Sequence, residues 1–136
     1  MVMAALRAVR RAALERGIYG RARRAFEMGD YAAALAAFIP LAKADHAGAQ
    51  YRLGVMHDEG FGVARDRARA AVWYRRAAEQ GHLKAQFNLG AMYERGEGVA
   101  RDCAEAASWY QRAAERGVSR ARNQLGILYF TGAGVP

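Results

Sequence analysis

The sequence has only one cysteine and no long apolar run, and each absence excludes a class of protein. Cys103 has no partner for an internal disulfide, so a small disulfide-stabilised domain is excluded. No stretch of about 18 uncharged apolar residues is present, which excludes a membrane-spanning helix. Arg7, Arg10 and Arg11 interrupt any apolar segment of a signal peptide. We therefore expect a cytoplasmic protein, with an organelle presequence as the open alternative.

Acidic residues are scarce near the start of the chain, and this places the positive charge at one end. The net charge is +8, yet residues 1–24 contain seven arginines and one glutamate, so the remaining residues are nearly neutral. A nucleic-acid-binding protein usually spreads lysine and arginine along one working face to contact successive phosphates. Nucleic acid is therefore not the expected partner of the main body.

What the sequence does contain is a repeat. Residues 49–84 and 85–120 are two copies of one 36-residue segment, with 21 identical positions. Self-similarity at a fixed period is typical of stacked repeats, in which each unit buries its apolar face against its neighbours. The composition, 53% apolar and 25% charged, also fits an ordered domain.

Each full copy predicts two helices. In the first copy, helix A covers about residues 47–59, a glycine-containing loop follows, and helix B runs from the N-cap Asp66 to about Gln80. Gly81 is the expected residue after the helix C-terminus. In the second copy, Glu105 stands three residues after the N-cap Asp102, the spacing of a capping box.

The flanking segments predict one lead-in helix, one diverged repeat and one incomplete repeat. We assign residues 1–20 to a basic helix that shields the end of the stack, binds a membrane surface or serves as a presequence or nucleic-acid arm. Residues 21–48 form a diverged helix-turn-helix repeat, with a turn at Gly29 and Asp30 and a kink or helix boundary expected near Pro40. Residues 121–136 contain helix A of a third copy, which is either a cap or the start of a longer array.

The repeated pattern has small, aromatic and acidic residues at fixed positions. These positions in the first copy, repeated 36 residues later, are Ala49, Leu53, Gly54, Gly60, Gly62, Val63, Asp66, Trp73, Tyr74, Ala77, Ala78 and Gly81. The pattern closely resembles the Sel-one-like repeat family, a branch of the tetratricopeptide-like repeats. The resemblance implies an all-α, right-handed α-solenoid that acts as a bacterial adaptor or scaffold in protein–protein interaction.

Residues capable of catalysis do not form a recognisable constellation in the sequence. His46, His57 and His82 lack metal-ligand spacing, and His57 occupies a position held by tyrosine in the other copies, which predicts a packed core histidine. Cys103 follows an N-cap, where a thiol can be activated, but its counterpart Arg67 suggests a tolerated surface thiol. We therefore expect no enzyme activity, no cofactor and no small-molecule substrate.

The resemblance also implies where a partner binds, because the helix A side chains of such stacks line the concave face. The predicted partner-binding residues are Tyr51, Arg52, Val55, Asp58, Glu59, Phe87, Asn88, Ala91, Glu94, Arg95, Asn123, Gln124, Ile127 and Phe130. Their apolar and amide or guanidinium side chains suit a peptide or helix of a partner protein. One alternative is that Tyr51 and Phe87 only pack between repeats. Another is that the protein acts on a membrane surface or nucleic acid through residues 1–24.

Overall fold

The computed structural model describes residues 1–133, which form seven α-helices and no strand. The helices are α1 (Val2–Glu27), α2 (Tyr31–Lys43), α3 (Ala47–Glu59), α4 (Arg67–Glu79), α5 (Leu83–Arg95), α6 (Cys103–Glu115) and α7 (Ser119–Thr131). Each helix packs mainly on the helices before and after it in the chain. The expected all-α, right-handed α-solenoid is confirmed.

The first helix differs from the expected arrangement. The lead-in helix was expected to cover residues 1–20, and a new unit to begin at residue 21, but α1 continues through Gly17 and Gly20 to Glu27. A glycine inside a helix costs only about 1 kcal/mol relative to alanine, and neither glycine has a positive φ. Ala22 is buried against the stack, whereas residues 1–11 are all exposed. One helix therefore serves both as helix A of the diverged repeat and as a projecting segment.

Helix α2 continues past Pro40, where a kink or boundary was expected. The helix ends three residues later, at Lys43. The proline ring is at an exposed position, while Phe38 and Leu41 on either side are buried. Burial of these neighbours in the core therefore holds the segment helical despite the missing N–H donor.

Side chains cap five of the helices. The predicted caps Asp66 and Asp102 accept hydrogen bonds from the backbone N–H groups of Arg69 and Glu105, each at 3.0 Å. The capping box at Glu105 is not formed, because the Asp102 N–H donates to the Tyr93 carbonyl at 2.9 Å. Asp30 caps α2 in the same way as the other aspartates.

Histidines cap two more helices, a role the sequence analysis missed. The Nδ1 atoms of His46 and His82 accept hydrogen bonds from the backbone N–H groups of Ala49 and Ala85, at 3.1 and 3.2 Å. The 36-residue interval between the two histidines was the available signal. Both histidines are therefore structural caps, of α3 and α5 respectively. A ring nitrogen accepts a hydrogen bond only when it carries no proton.

Packing between helices A and B depends on a glycine opposite a tyrosine. A Cβ at Gly54 would lie 2.5 Å from the Tyr74 ring, and one at Gly90 would lie 2.8 Å from the Tyr110 ring. Both tyrosines are almost fully buried. The missing side chain therefore allows each ring to lie directly on the facing helix.

Buried glutamines join successive repeats. Gln50 Nε2 donates to the Ala42 carbonyl and Gln86 Nε2 to the Ala78 carbonyl, both at 3.1 Å. Both carbonyls belong to the last turn of the preceding helix B, where intrahelical donors are lacking. The glutamines thus satisfy a helix end of the repeat before them.

The last described helix leaves much of its surface open. Ile127 is 50% exposed and Phe130 is 92% exposed, while Ala121 and Leu128 are buried against α6. The remainder of the third copy, residues 134–136, lies outside the described residues. The expectation that residues 121–136 cap or continue the array stays a prediction.

Candidate functional site

A cleft between α3 and α5 brings together predicted partner-binding residues of both full repeats. Its volume is about 330 Å³. It is lined by Tyr51, Val55, Asp58, Glu59, Tyr74, Phe87, Asn88, Ala91, Met92, Arg95, Glu97 and Arg120. A second cleft of about 410 Å³ shares Tyr51, Phe87, Asn88 and Arg120 with the first and adds Leu83, Lys84 and Val118. We call these two adjoining clefts the helix A groove.

The aromatic residues of the groove also pack on neighbouring side chains of the stack. The Tyr51 ring stacks on the His82 ring with centroids 4.6 Å apart, and the Phe87 ring lies 5.5 Å from that of Tyr110. The Arg120 guanidinium lies 4.6 Å from the Phe87 centroid. Tyr51 and Phe87 are nevertheless only half-buried. This packing therefore fixes their orientation and leaves part of each ring open to the groove.

Several polar side chains of the predicted site are engaged inside the stack. The Tyr74 hydroxyl donates to Asp58 Oδ2 at 3.3 Å, and the Tyr110 hydroxyl donates to Glu94 Oε1 at 2.8 Å. Gln124 Nε2 donates to the same Glu94 oxygen at 3.2 Å. Glu94 and Gln124 thus connect two repeats.

The buried tyrosines stay protonated over a wide pH range. Burial, together with the negative charge of Asp58, raises the pKa of Tyr74 far above its usual value. Burial and the hydrogen bond to Glu94 raise the pKa of Tyr110 in the same direction. The nearby Asn88 side chain partly offsets the rise in the pKa of both Tyr74 and Tyr51. Sequence analysis missed these tyrosine roles, because helix B residues were not assigned to the groove.

Arg52 and the third-repeat residues lie apart from the groove. The Arg52 guanidinium lies 5.6 Å from the Phe26 ring centre of α1 and 5.8 Å from that of Tyr51. Asn123 and Ile127 line a separate depression of about 570 Å³ on α7. Of the predicted residues, the groove therefore unites those of α3 and α5, excluding Arg52 and Glu94.

The exposed rim of the groove carries charges of both signs. Glu59 and Arg95 are exposed and occupy corresponding positions of the first and second repeats. Lys84 and Arg120 are also exposed at the second cleft. The rim therefore offers salt-bridge and hydrogen-bond partners around a floor that includes the rings of Tyr51 and Phe87, the general organisation of a peptide-binding surface.

The described residues do not form a recognisable metal site. Residues 1–133 contain no group of three or more histidine, cysteine, aspartate or glutamate side chains placed to hold a metal ion. His57 is buried, as expected, and burial with the nearby charge of Arg69 lowers its pKa. Cys103 is half-buried at the start of α6, whereas the sequence suggested an exposed thiol, because its side chain packs against the α6–α7 core. No helix within this range has the length and hydropathy needed to cross a membrane.

Comparison with known protein families assigns the fold. Residues 47–82, 83–118 and 119–136 match the family model described as Sel1 repeat. The chain belongs to the Sel1 repeat family. The matched segments begin with the first residues of α3, α5 and α7, two residues before the repeats outlined from sequence identity. Sel1 repeat proteins are generally non-catalytic scaffolds that mediate protein–protein interaction.

Solved structures of similar proteins have the same fold. A Sel1 repeat protein from Oxalobacter formigenes is 34% identical, with a TM-score of 0.82 over 86% of this chain and 48% of its own. A protective antigen of uropathogenic Escherichia coli strains with the same repeat fold is 36% identical. Its TM-score is 0.86, and the match covers 98% of this chain and 29% of the antigen.

A more distant structure supports the fold alone. The cysteine-rich protein B of Helicobacter pylori is 17% identical, with a TM-score of 0.66 over 82% of this chain and 94% of its own. A search of curated proteins found no match. The chain spans less than half of the length of the Oxalobacter formigenes and Escherichia coli proteins.

Proposed function

We propose that this Sel1 repeat chain is a non-enzymatic adaptor that binds a peptide or helix of a partner protein in the helix A groove. The observation that supports the proposal is the continuity of the groove across two repeats, through the shared residues Tyr51, Phe87 and Asn88. A segment lying along it contacts an apolar floor and a charged rim at the same time. This combination favours extended or helical peptides over small polar ligands.

The packing of the floor residues on their neighbours favours tight binding. Tyr51 and Phe87 are held by His82 and Tyr110, respectively, before any partner arrives. Fewer side-chain rotations are then lost on association, and binding costs less conformational entropy. Phe87 lines both clefts, so it is the expected centre of the interface.

The experiment selects peptides on the wild-type chain from a displayed random library and measures their affinities by calorimetry. The double variant Phe87→Ala/Arg95→Ala removes the central ring and one rim charge, and we expect it to weaken binding at least about tenfold, as for truncated interface centres. Ser108→Ala, at an exposed position of α6, is the matched control. Circular dichroism monitors helicity. A loss no greater than that of the control would refute the groove assignment.

A second candidate function rests on the projecting half of α1. Val2 is 73% exposed, Val9 is 64% exposed and Leu14 is 62% exposed, and arginines alternate with them. A basic helix with exposed apolar side chains suits an anionic membrane surface, since the side chains insert while arginine attracts lipid headgroups. Nucleic acid offers no comparable contact for the apolar residues.

Deletion of residues 2–16 tests this second candidate. The full chain should bind vesicles containing phosphatidylserine in a salt-sensitive manner, and the deletion variant should not. Phosphatidylcholine vesicles are the control for charge, and duplex DNA is the competing ligand. Equal vesicle binding by both proteins, or stronger binding to DNA than to vesicles, would contradict the membrane assignment.

A further inference from the structure

A different cleft lies between α2, α3 and α4. Its volume is about 640 Å³, and its lining has no residue in common with the helix A groove. The residues that matter for its chemistry are Ile39, Lys43, His57, Arg69, Val72 and Trp73. We call it the His57 cleft.

The next repeat shows what normally fills this volume. There, Tyr93 replaces His57 and Arg75 replaces Ile39, 36 residues later. The Arg75 guanidinium lies 5.5 Å from the Tyr93 ring centre and donates a hydrogen bond to the Tyr93 hydroxyl. The His57 cleft has neither the phenol nor the guanidinium at these two positions. The cleft is therefore the place that a tyrosine side chain occupies in the neighbouring repeat.

The missing phenol also leaves a tryptophan uncovered. Trp109 is only 5% exposed and belongs to the core cluster against which Tyr93 packs. Its counterpart Trp73 is half-buried and lines the His57 cleft, beside Val72, which is 59% exposed. An aromatic ring placed in the cleft would restore the covering that the second repeat provides.

His57 supplies an unsatisfied polar atom in the same place. The residue is only 9% exposed, and its Nδ1 atom is buried without a hydrogen-bond partner among the described residues. Buried polar atoms are nearly always hydrogen-bonded, so the unpaired ring nitrogen indicates a missing partner, which a rotation of the imidazole toward the cleft would let it reach. A ligand hydroxyl is such a partner, since it can donate or accept.

The rim of the cleft adds a charge preference. Lys43 is exposed there, whereas the charge of Asp66 is partly compensated by Arg69, with Arg69 Nε and Asp66 Oδ2 3.8 Å apart. The excess charge at the rim is therefore positive, which favours an acidic residue beside the inserted ring.

We propose that the His57 cleft binds a tyrosine side chain of a partner protein, with the phenol in the place of the tyrosine missing at position 57 and an acidic residue beside it. The hydroxyl hydrogen-bonds His57, and the ring packs on Trp73. This site is on another face of α3 than the helix A groove and does not depend on the function proposed for that groove.

The test uses the full chain and nuclear magnetic resonance titrations with the peptide acetyl-Gly-Tyr-Glu-amide. We expect shifts of the His57 and Trp73 side-chain signals, and at least about threefold weaker binding of the phenylalanine version, because it lacks the hydroxyl. Absence of binding, or equal binding of both peptides, would overturn the proposal.

Two single variants each give the cleft one side chain of the Tyr93–Arg75 pair. His57→Tyr fills the cleft from within, and Ile39→Arg fills it from α2 without changing His57. Each should reduce peptide affinity at least about tenfold, since the ring no longer has room. Unchanged affinity in a folded variant would place the peptide elsewhere. Free p-cresol is the remaining probe, and if it binds as tightly as the peptide, the cleft is a small-phenol site and the assignment to a partner protein is wrong.

Discussion

Gly90 and Gly126 occupy the same position of successive repeats but have different surroundings. A Cβ at Gly90 would meet Tyr110, whereas a Cβ at Gly126 would meet nothing within 4 Å. The sequence identified this position as small and packed. It could not show that α5 faces a buried tyrosine while the described surroundings of α7 are open, because that depends on which helix lies opposite.

The pair offers a matched test of packing. Gly126→Ala should raise the free energy of unfolding by about 0.5–1 kcal/mol, because alanine loses less backbone entropy in a helix. Gly90→Ala has the same advantage but displaces the Tyr110 ring, so we expect a net loss of about 1–2 kcal/mol. Urea unfolding followed by circular dichroism measures both. If Gly90→Ala were as stable as Gly126→Ala, the close contact with Tyr110 would be refuted.

At the scale of the helix, the His82 cap of α5 is sensitive to pH. Burial, with added repulsion from Lys84 and Arg52, lowers the pKa of His82 below its usual value of 6.5. The unfolded chain therefore takes up a proton at higher pH than the folded chain. The stability associated with the neutral cap is fully present above pH 6.5 and is lost as the pH falls through the folded-state pKa.

The variant His82→Asn tests this cap. Asparagine can also accept the Ala85 N–H bond but does not titrate, so the variant should remain capped at neutral pH. Between about pH 7.5 and pH 5, its unfolding free energy should fall less than that of the wild type. Part of the fall should persist, because burial also lowers the pKa of His57. Identical pH dependence in denaturant titrations would show that His82 does not contribute.

At the scale of the molecule, the proposed binding surfaces lie on faces that no single repeat possesses. The helix A groove requires α3 and α5 together, and the His57 cleft requires α2, α3 and α4. Charge is segregated in the same way, with most of the net positive charge on α1 and a nearly neutral body. Such an array can present several contact surfaces at once, which is the property a scaffold needs.

The sequence by itself determined the repeat, the all-α class, the bounds of helices A and B in the full copies, and the aspartate caps. These follow from periodicity and from local backbone chemistry, which act within a few residues. It also identified most of the α3 and α5 side chains that line the groove, but not Leu83, Lys84 and Met92. The prediction also included Arg52, Glu94 and residues of α7, which do not line the groove. It included them because it assumed that equivalent positions of each repeat have the same surroundings.

Only the tertiary structure decided which residues at equivalent repeat positions make the same contacts. Contacts between helices decide three features. They are the continuous helix α1 formed by the lead-in segment and residues 21–27, the hydrogen bond between Glu94 and Gln124, and the cleft beside His57. Such contacts join residues about 16 to 31 positions apart, as in the Tyr110–Glu94 and Arg76–Asp45 pairs. A repeated sequence fixes the unit, but the neighbours of each unit differ along the stack, and these differences produce the sites.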